Sequence, residues 1–259
     1  MDPDFLLFAC VGFLAQLVDG ALGMAYGVVS STVLLAAGVP PATASASVHA
    51  AEVFTTAASA GSHAWHRNVN WRLFGLLAAG GVVGGAIGAF VLTSIDGDLI
   101  KPWIIVYLGL MGALILWRAW RGSEPRPVRM RWPAPLGLVG GFFDAIGGGG
   151  WGPTVTSTLV GSGAAPREAI GTANAAEFLV TVAISATFVW ALMTGRWTDA
   201  GDLSDHAWSV GGLIAGGLLA APLAGWITKI VPARALTWIV GLVILILAAY
   251  QAAKLFKLI

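Results

Sequence analysis

The chain carries one sequence pattern twice, 125 positions apart. The segment Asp19-Gly20-Ala21-Leu22-Gly23 recurs as Asp144-Ala145-Ile146-Gly147-Gly148, and Ala50-Ala51-Glu52 recurs as Ala175-Ala176-Glu177. The spacing from Asp19 to Glu52 is kept without a gap. A strict internal repeat predicts two copies of one structural unit. Copies that each hold a glycine-rich break and two carboxylates in apolar sequence are typical of membrane transporters built from structural repeats.

Composition places this duplicated unit in a lipid bilayer. Hydrophobic residues make up 57% of the chain, charged residues make up 10%, and the mean hydropathy is +0.82. There is too little polar surface to cover a soluble globule. A net charge of +1 gives no reason to expect a nucleic-acid partner. The acidic start Met1-Asp2-Pro3-Asp4 lacks the basic region of a signal peptide, so the first apolar segment is expected to stay in the mature protein.

The cysteine, histidine and glycine patterns predict no metal site and no cofactor. Cys10 is the only cysteine, which excludes an intrachain disulfide and a cysteine-based metal site. The four histidines lack paired ligand spacing. Gly147 to Gly152 is rich in glycine, but it lacks the Gly-Lys-Ser/Thr ending of a phosphate-binding loop.

Ten apolar segments predict an all-α, polytopic membrane protein. A helix needs about 20 apolar residues to cross about 30 Å of hydrocarbon. The first two segments of each copy are shorter, so each pair is predicted to form a broken or re-entrant hairpin, with tips at Asp19-Gly20 and at Asp144 to Gly150. Three transmembrane helices follow in each copy. The copies are 1–120 and 133–259, with an Arg- and Pro-rich linker at 121–132. The segments lie at about 5–18, 21–37, 42–65, 72–93, 99–117, 133–143, 150–162, 167–194, 207–228 and 235–256.

The distribution of charged residues predicts the orientation of these helices. Lys and Arg concentrate in cytoplasmic loops, so the Arg-rich linker is placed in the cytoplasm. Each copy then makes an odd net number of crossings, which predicts inverted repeats and periplasmic termini. Lys254 and Lys257 mildly oppose this assignment. The other loops that fall inside carry Arg67, Arg72, Arg167, Lys229 and Arg234, and those that fall outside carry Asp96, Asp98, Asp199, Asp202 and Asp205.

Glu52 and Glu177 are the first candidates for coupling chemistry. Each lies about ten residues into its helix, and a charged group at the centre of a lipid-facing helix costs about 2.5–3.5 kcal/mol, so such groups turn inward and usually serve a pathway. A carboxyl group buried away from positive charge favours its protonated form, so both could exchange a proton. The alternative is a permanently protonated glutamate that joins helices. His49 lies one turn from Glu52 and either shares its proton or only bonds to it.

The two hairpin breaks are the second candidate site. Asp19 and Asp144 either cap the following half-helix or bind a proton or cation. Backbone amides at a helix N-terminus bind anions, and the Lys and Arg residues of the apolar segments lie within three residues of the segment ends, away from the breaks. Hydroxyl groups at these positions either touch the anion or bond only to their own backbone. The residues expected to contact a small anion are Gly23, Ser31, His49, Gly148, Gly149, Gly150, Thr156, Thr172 and Asn174.

The chain resembles the TauE/SafE sulfite and organosulfonate exporter family. The resemblance rests on two inverted copies with Gln-Leu-Val-Asp-Gly and Phe-Phe-Asp-Ala breaks, a Pro-initiated helix with the segment Arg167-Glu168-Ala169-Ile170-Gly171-Thr172-Ala173-Asn174, and Trp71 and Trp197 downstream. It covers nearly the whole chain. It implies a permease of the bacterial inner membrane for sulfite, an organosulfonate or a small carboxylate, driven by an ion gradient. Thr172 and Asn174 correspond to Ser47 and His49, so a binding role in one copy does not transfer to the other.

The function predicted from these patterns is secondary active transport of a small anion by alternating access, coupled to a proton or sodium ion. A passive anion channel and a membrane-embedded hydrolase are the alternatives. A phosphoryl hydrolase would need an Arg or a metal to stabilise charge. The Arg residues in the apolar segments, Arg72 and Arg167, are the first residues of their segments, so the protein is not expected to be an enzyme. The sequence leaves open whether it is a monomer or a homodimer.

Overall fold

A computed structural model describes residues 3–121, 132–162, 164–197, 207–230 and 232–257. Over these residues the regular structure is entirely helical, which confirms the predicted all-α class. A π-helical turn at Gly152–Thr156 precedes the seventh α-helix. The helices are α1 Pro3–Leu22, α2 Tyr26–Ala36, α3 Pro41–Trp65, α4 Trp71–Leu92, α5 Gly97–Arg121, α6 Pro133–Gly147, α7 Ser157–Gly161, α8 Pro166–Met193, α9 Ala207–Ile230 and α10 Ala233–Leu255.

The helix boundaries follow from proline and glycine. Pro41, Pro133 and Pro166 occupy the first helical turn, where the missing N–H costs nothing. α1 and α6 end just before Gly23 and Gly148, whose φ angles of 64° and 65° are left-handed. The first predicted hairpin tip, at Asp19-Gly20, was therefore placed too early, whereas the second, Asp144 to Gly150, contains the break at Gly148. Asp19 and Asp144 lie inside the last turns of α1 and α6, because a helix continues until a residue that can leave it.

Four helices are long and apolar enough to cross a membrane, judged by length and composition over the described residues. They are Trp71–Leu92, Gly97–Arg121, Arg167–Met193 and Thr237–Leu255. The 25-residue helix α3 is also long enough. It falls outside this set because a stripe of Ser, Thr, His and Glu lowers its hydropathy, and that stripe is buried in the protein.

The two halves of the chain pack against each other reciprocally. The first helix of each half packs on the fourth helix of the other half, which gives the pairs α1 with α9 and α4 with α6. The third helices, α3 and α8, pack together, and so do the fifth helices, α5 and α10. Such exchange of partners is expected when two equivalent halves are related by an approximate two-fold axis.

The glycine-rich pairs, α1 with α9 and α4 with α6, each run parallel. Gly80, Gly84 and Gly88 of α4 face successively later residues of α6, so closely that a Cβ at Gly84 would overlap the backbone of Leu138. In α9, Gly212 and Gly216 approach α1 in the same manner. Close backbone approach at small residues gains van der Waals contact where lipid supplies no hydrophobic driving force.

The pairs formed by equivalent helices run antiparallel. In α3 and α8, Ser59 bonds to Asn174 near one end, and the ring of His49 lies 6.5 Å from that of Phe188 near the other. In α5 and α10, the Arg234 side chain donates to the carbonyl of Ala119. Antiparallel packing of equivalent helices is the arrangement expected for inverted repeats. The inversion itself, and the boundaries of the repeats, stay predictions.

Charge is segregated between the two ends of the bundle. The end that we call the arginine end carries Arg67, Arg72 and Arg167, joined by a bond from Asn70 to Glu168. The α5 C-terminus with Arg118 and Arg121, together with Arg234, belongs to the same end, since α4 and α5 are joined by a short turn. The opposite, acidic end carries Asp96 and Asp98. Among the described residues, this end also carries four cations, which are Arg196, stacked on Phe90, Lys101 near the start of α5, and Lys254 and Lys257 at the end of α10.

Each short hairpin enters and leaves the bundle at the same end, and the two hairpins use opposite ends. The starts of α1 and α3 lie at the acidic end, and the starts of α6 and α8 lie at the arginine end. Both hairpins are re-entrant, because α2 leads back to the end where α1 begins and α7 leads back to the end where α6 begins. Residues 122–131 of the predicted linker and the acidic loop residues Asp199, Asp202 and Asp205 lie outside the described residues.

The α4–α6 contact predicts a difference between two glycines of α4. Gly84→Ala should destabilise the protein by about 1–3 kcal/mol, because the new methyl group overlaps the α6 backbone. Gly75→Ala, in the same helix with open space around it, should be neutral or stabilising by up to about 1 kcal/mol. Thermal unfolding in detergent, followed by size-exclusion chromatography, measures both. Equal melting temperatures would contradict the described packing.

Candidate functional site

The two glycine-rich breaks meet at the centre of the bundle. A Cβ on Gly27 would lie 2.7 Å from Cα of Gly149 and 2.8 Å from Oε1 of Glu52. In the equivalent contact, Gly152 packs against the backbone of Gly23 and Met24. The start of α2 therefore touches the backbone of the second break, and the start of the π-helical turn touches the backbone of the first. Only glycine leaves room for this approach.

Asp19 and Asp144 each hold the chain that follows the break. Oδ1 of Asp19 accepts from the amides of Ala25 and Tyr26 at 2.8 and 3.2 Å. Oδ1 of Asp144 accepts from the amides of Gly150 and Trp151 at 2.7 and 2.9 Å. The two sets of bonds are equivalent under the 125-residue shift. Capping bonds are thus present at both positions. Among the glycines expected to contact an anion, Gly150 donates its amide to the Asp144 carboxylate, and Gly23 and Gly149 donate theirs to the backbone carbonyls of Asp19 and Asp144.

Four acidic side chains surround two small central cavities. Asp19, Glu52 and Glu177 line both cavities, and Asp144 lines the second. Each cavity has a volume of about 10 Å³, which is room for about one water molecule. The site is closed around its acidic groups, and a polyatomic anion would need the halves to move apart. The remaining lining residues are Gln16, Met24, Ala25, Tyr26, Gly27, Val28, Thr55, Thr56, Ser59, Gly149, Gly150, Gly152, Pro153 and Asn174.

Glu52 and Glu177 are buried without a strong cationic partner. They are 2% and 8% exposed, and Oε2 of Glu52 has no hydrogen-bond partner among the described residues. Within this part of the chain, the ion-pair contacts of the central carboxylates involve His49. An isolated buried carboxylate is costly, so the described environment favours neutral carboxyl groups or a bound cation.

His49 joins the acidic groups across the two halves. Its Nδ1 lies 2.7 Å from the carbonyl oxygen of Ser45, and its Nε2 lies 3.3 Å from Oδ2 of Asp144 and 3.9 Å from Oε2 of Glu52. One ligand atom each from His49, Glu52 and Asp144 falls within 4.8 Å of the others. Zinc and similar metal ions usually take four or more donors, and this group supplies three.

A family model described as sulfite exporter TauE/SafE matches residues 8–251. The chain belongs to the TauE/SafE family. The probable membrane transporter protein YtnM of Bacillus subtilis (strain 168) is 43% identical over 231 residues, which cover 86% of this chain and 74% of that protein. No solved structure matches the chain. The chain is thus a multi-pass membrane protein of a transporter family, as the sequence motifs predict.

The predicted contact residues of this TauE/SafE protein divide into two groups. Gly149, Gly150 and Asn174 line the central cavities. Thr172 lies at the arginine end, where its hydroxyl accepts from the amide of Asn70 at 2.9 Å. Ser31 bonds to the carbonyl of Val28 in its own helix. The others that do not line these cavities are Gly23, His49, Gly148 and Thr156.

Three side chains near the site were missed by sequence reasoning. Gln16 and Tyr26 line a cavity, and the Tyr26 hydroxyl donates to the carbonyl of Leu213 at 2.9 Å. Tyr107 packs against Gly147 and Gly150 so tightly that a Cβ at either would overlap its ring. Gln16 lies one turn before Asp19, which is a usable signal. Tyr107 carries none, because it approaches from a helix distant in sequence.

The capping bonds predict a graded effect at Asp19. Asp19→Ala removes the acceptor for two amides and should cost about 1–2 kcal/mol. Asp19→Asn keeps an amide oxygen in the position of Oδ1 and should cost less. Thermal unfolding of purified protein in detergent compares the two. If Asn is as damaging as Ala, the role of Asp19 depends on its charge rather than on its acceptor geometry.

Proposed function

We propose that the protein is a secondary active carrier that moves sulfite, an organosulfonate or a small carboxylate across the inner membrane, coupled to protons. The observation that carries this proposal is the meeting of both hairpin breaks and both buried glutamates at one closed central site. The family description and the name of the B. subtilis relative support transport of this kind.

Inverted repeats would supply the two states that alternating access needs. Antiparallel packing of α3 with α8 and of α5 with α10 supports two oppositely oriented halves, about 1–120 and 133–259. Related halves can exchange conformations, so that the central site opens first to one side and then to the other. The larger number of Arg residues at the arginine end supports a cytoplasmic arginine end and a periplasmic acidic end.

The acidic lining explains why an anion carrier would need protons. Two unit charges 4 Å apart interact by about 4 kcal/mol at an effective dielectric constant of 20. An anion entering among several ionised carboxylates would meet repulsion of that order from each. Protons on the carboxyl groups remove this repulsion, so substrate and proton enter together. A protonated Asp19 or Asp144 would also hold its amides less strongly and leave them to the anion.

Two larger cavities provide a route from the acidic end. They measure about 220 and 190 Å³ and both contact Trp197. The first is lined by Arg196 and Asp96, and the second by Phe188 and other apolar side chains. The ring of Phe188 lies 5.6 Å from Trp197 and 6.5 Å from His49. We propose that Phe188 separates this entrance from the central site in the closed state.

The orientation is tested with single cysteines. In a Cys10→Ser background, Asp98→Cys should react with a membrane-impermeant maleimide added to intact cells, because Asp98 is exposed at the acidic end. His66→Cys, exposed at the arginine end, should react only after the cells are opened. The reverse pattern would overturn the orientation and leave the fold intact.

Coupling is tested in proteoliposomes loaded with radiolabelled sulfite. Transport should depend on an imposed pH gradient and collapse with a protonophore. Glu52→Gln and Glu177→Gln should lose at least tenfold in gradient-driven rate, since a carboxamide cannot exchange a proton at the cavity. Glu168→Gln is the matched control, because Glu168 is exposed and an amide oxygen can still accept from Asn70.

The outcomes separate the competing functions. Movement of sulfite that ignores the pH gradient and survives both central substitutions would indicate a passive channel. Dependence on a sodium gradient would replace the proton as coupling ion. Failure of sulfite, sulfoacetate and small carboxylates to move at all would contradict anion transport.

A further inference from the structure

We propose that His49 and Asp144 form a proton site which ties α3 of the first half to α6 of the second, and that the cation held there is a proton rather than a metal ion. The placement of the proton is independent of transport, and its role in coupling rests on the proposed function.

The tautomer of His49 is fixed by the carbonyl group of Ser45. A carbonyl oxygen only accepts hydrogen bonds, and it lies 2.7 Å from Nδ1. Nδ1 therefore carries the proton and donates it. The Ser45 hydroxyl donates to the carbonyl of Ala145 at 2.5 Å, so its proton is also committed. In a neutral imidazole with this tautomer, Nε2 is a bare acceptor.

Nε2 faces two further acceptors. Oδ2 of Asp144 lies 3.3 Å away, and Oε2 of Glu52 lies 3.9 Å away. Oδ1 of Asp144 is already used by two backbone amides, and Oε2 of Glu52 has no hydrogen-bond partner among the described residues. Three lone-pair atoms that point at one another in a buried space repel unless a positive particle lies between them. One proton between Nε2 and Oδ2 converts the closest contact into a charge-assisted hydrogen bond.

The number of donors and the space at the cluster favour a proton over a metal. A separation of 3.3 Å between Nε2 and Oδ2 is within hydrogen-bond range for the pair. A transition metal takes donors at about 2.0–2.2 Å and needs a fourth donor or a water. His49 and Asp144 are both 0% exposed, and the adjoining cavity of about 10 Å³ has little room for a metal with its water.

All other titratable groups that face the pair are acidic in character. Glu52 lies on the same helix, and Glu177 approaches from α8. Asp19 and Tyr26 come from α1 and α2, and Tyr107 comes from α5 beside Gly149. Among the cations of the other packed helices, Arg72 lies at the exposed start of α4, and Arg118 of α5 donates to the carbonyl of Pro153 rather than to a central carboxylate. The described side chains of α9 include no titratable group. No described cation therefore competes with the proton.

The sequence repeat does not produce a second site of this kind. Asn174 stands where the repeat would place a second histidine, and its Nδ2 donates to Ser59 at 3.1 Å instead of titrating. Loss of the proton from His49–Asp144 would leave an ionised Asp144 beside Glu52 and weaken the contact of α3 with α6. The second half has no equivalent pair, so one proton event would act on one side of the central site.

The experiment is nitrogen NMR of the full chain, labelled with ¹⁵N-histidine, in a background with His63, His66 and His206 changed to Gln. The ¹⁵N signals should show Nδ1 protonated at every pH, while Nε2 changes from protonated to unprotonated across one transition. Asp144→Asn keeps a cap oxygen and presents an N–H donor to Nε2, so it should abolish the transition. Asp19→Asn is chemically matched and does not face a histidine, so it should retain the transition.

The following results would overturn the proposed proton site. An unprotonated Nδ1 would contradict the tautomer, and this readout needs no change at Asp144, so it holds even if Asp144→Asn does not fold. Loss of the transition in both Asn variants, or in neither, would remove the specific pairing. A stoichiometric metal found by elemental analysis and lost in His49→Gln would replace the proton. A titrating His49 in a protein that transports without a proton gradient would overturn the proposed coupling and leave this site in place.

Discussion

Four acidic side chains, enclosed in an apolar bundle and lacking a Lys or Arg partner among the described residues, are the constraint on which the central structure depends. An ionised carboxylate in such a place is expensive unless amides or a cation compensate it. The two pairs of acidic residues differ in how far their surroundings compensate a negative charge. Asp19 and Asp144 accept from the amides beyond the breaks, whereas Glu52 and Glu177 line cavities with little such support. The first pair holds the chain beyond the breaks, and the second pair lines the central cavities.

Duplication of the sequence is what made the acidic residues and the helices predictable. Prolines at 41, 133 and 166 mark helix starts, and those boundaries agree with the structure within a residue or two. The tips of the hairpins were less predictable, because Asp19 looks like a break but still fits a helical turn, and the chain turns only at Gly23. Glu52 and Glu177 share a site, as their matching positions suggest.

Contacts between distant helices were beyond the reach of sequence reasoning. The contact of His49 with Asp144 joins residues 95 positions apart, and no local pattern encodes it. Thr172 was grouped with Asn174 because the two are close in sequence, yet two residues rotate a helix by about 200°, so Thr172 faces Asn70 while Asn174 faces the cavity. Likewise, the hydroxyl of Ser31 bonds to its own helix, a choice that composition does not reveal.

The partner exchange between the halves has a consequence for how this chain can be divided. Glycine faces on α4 and α9 are filled by α6 and α1, which belong to the opposite half. One half of the chain produced alone would expose its glycine face, and it would also expose its first helix, which packs on the other half in the full chain. Both surfaces could be covered only by pairing with a second copy of that half. Fusion of the two copies in one chain supplies the partner in a one-to-one ratio. It also allows the copies to differ, with His49 in one and Asn174 at the corresponding position of the other.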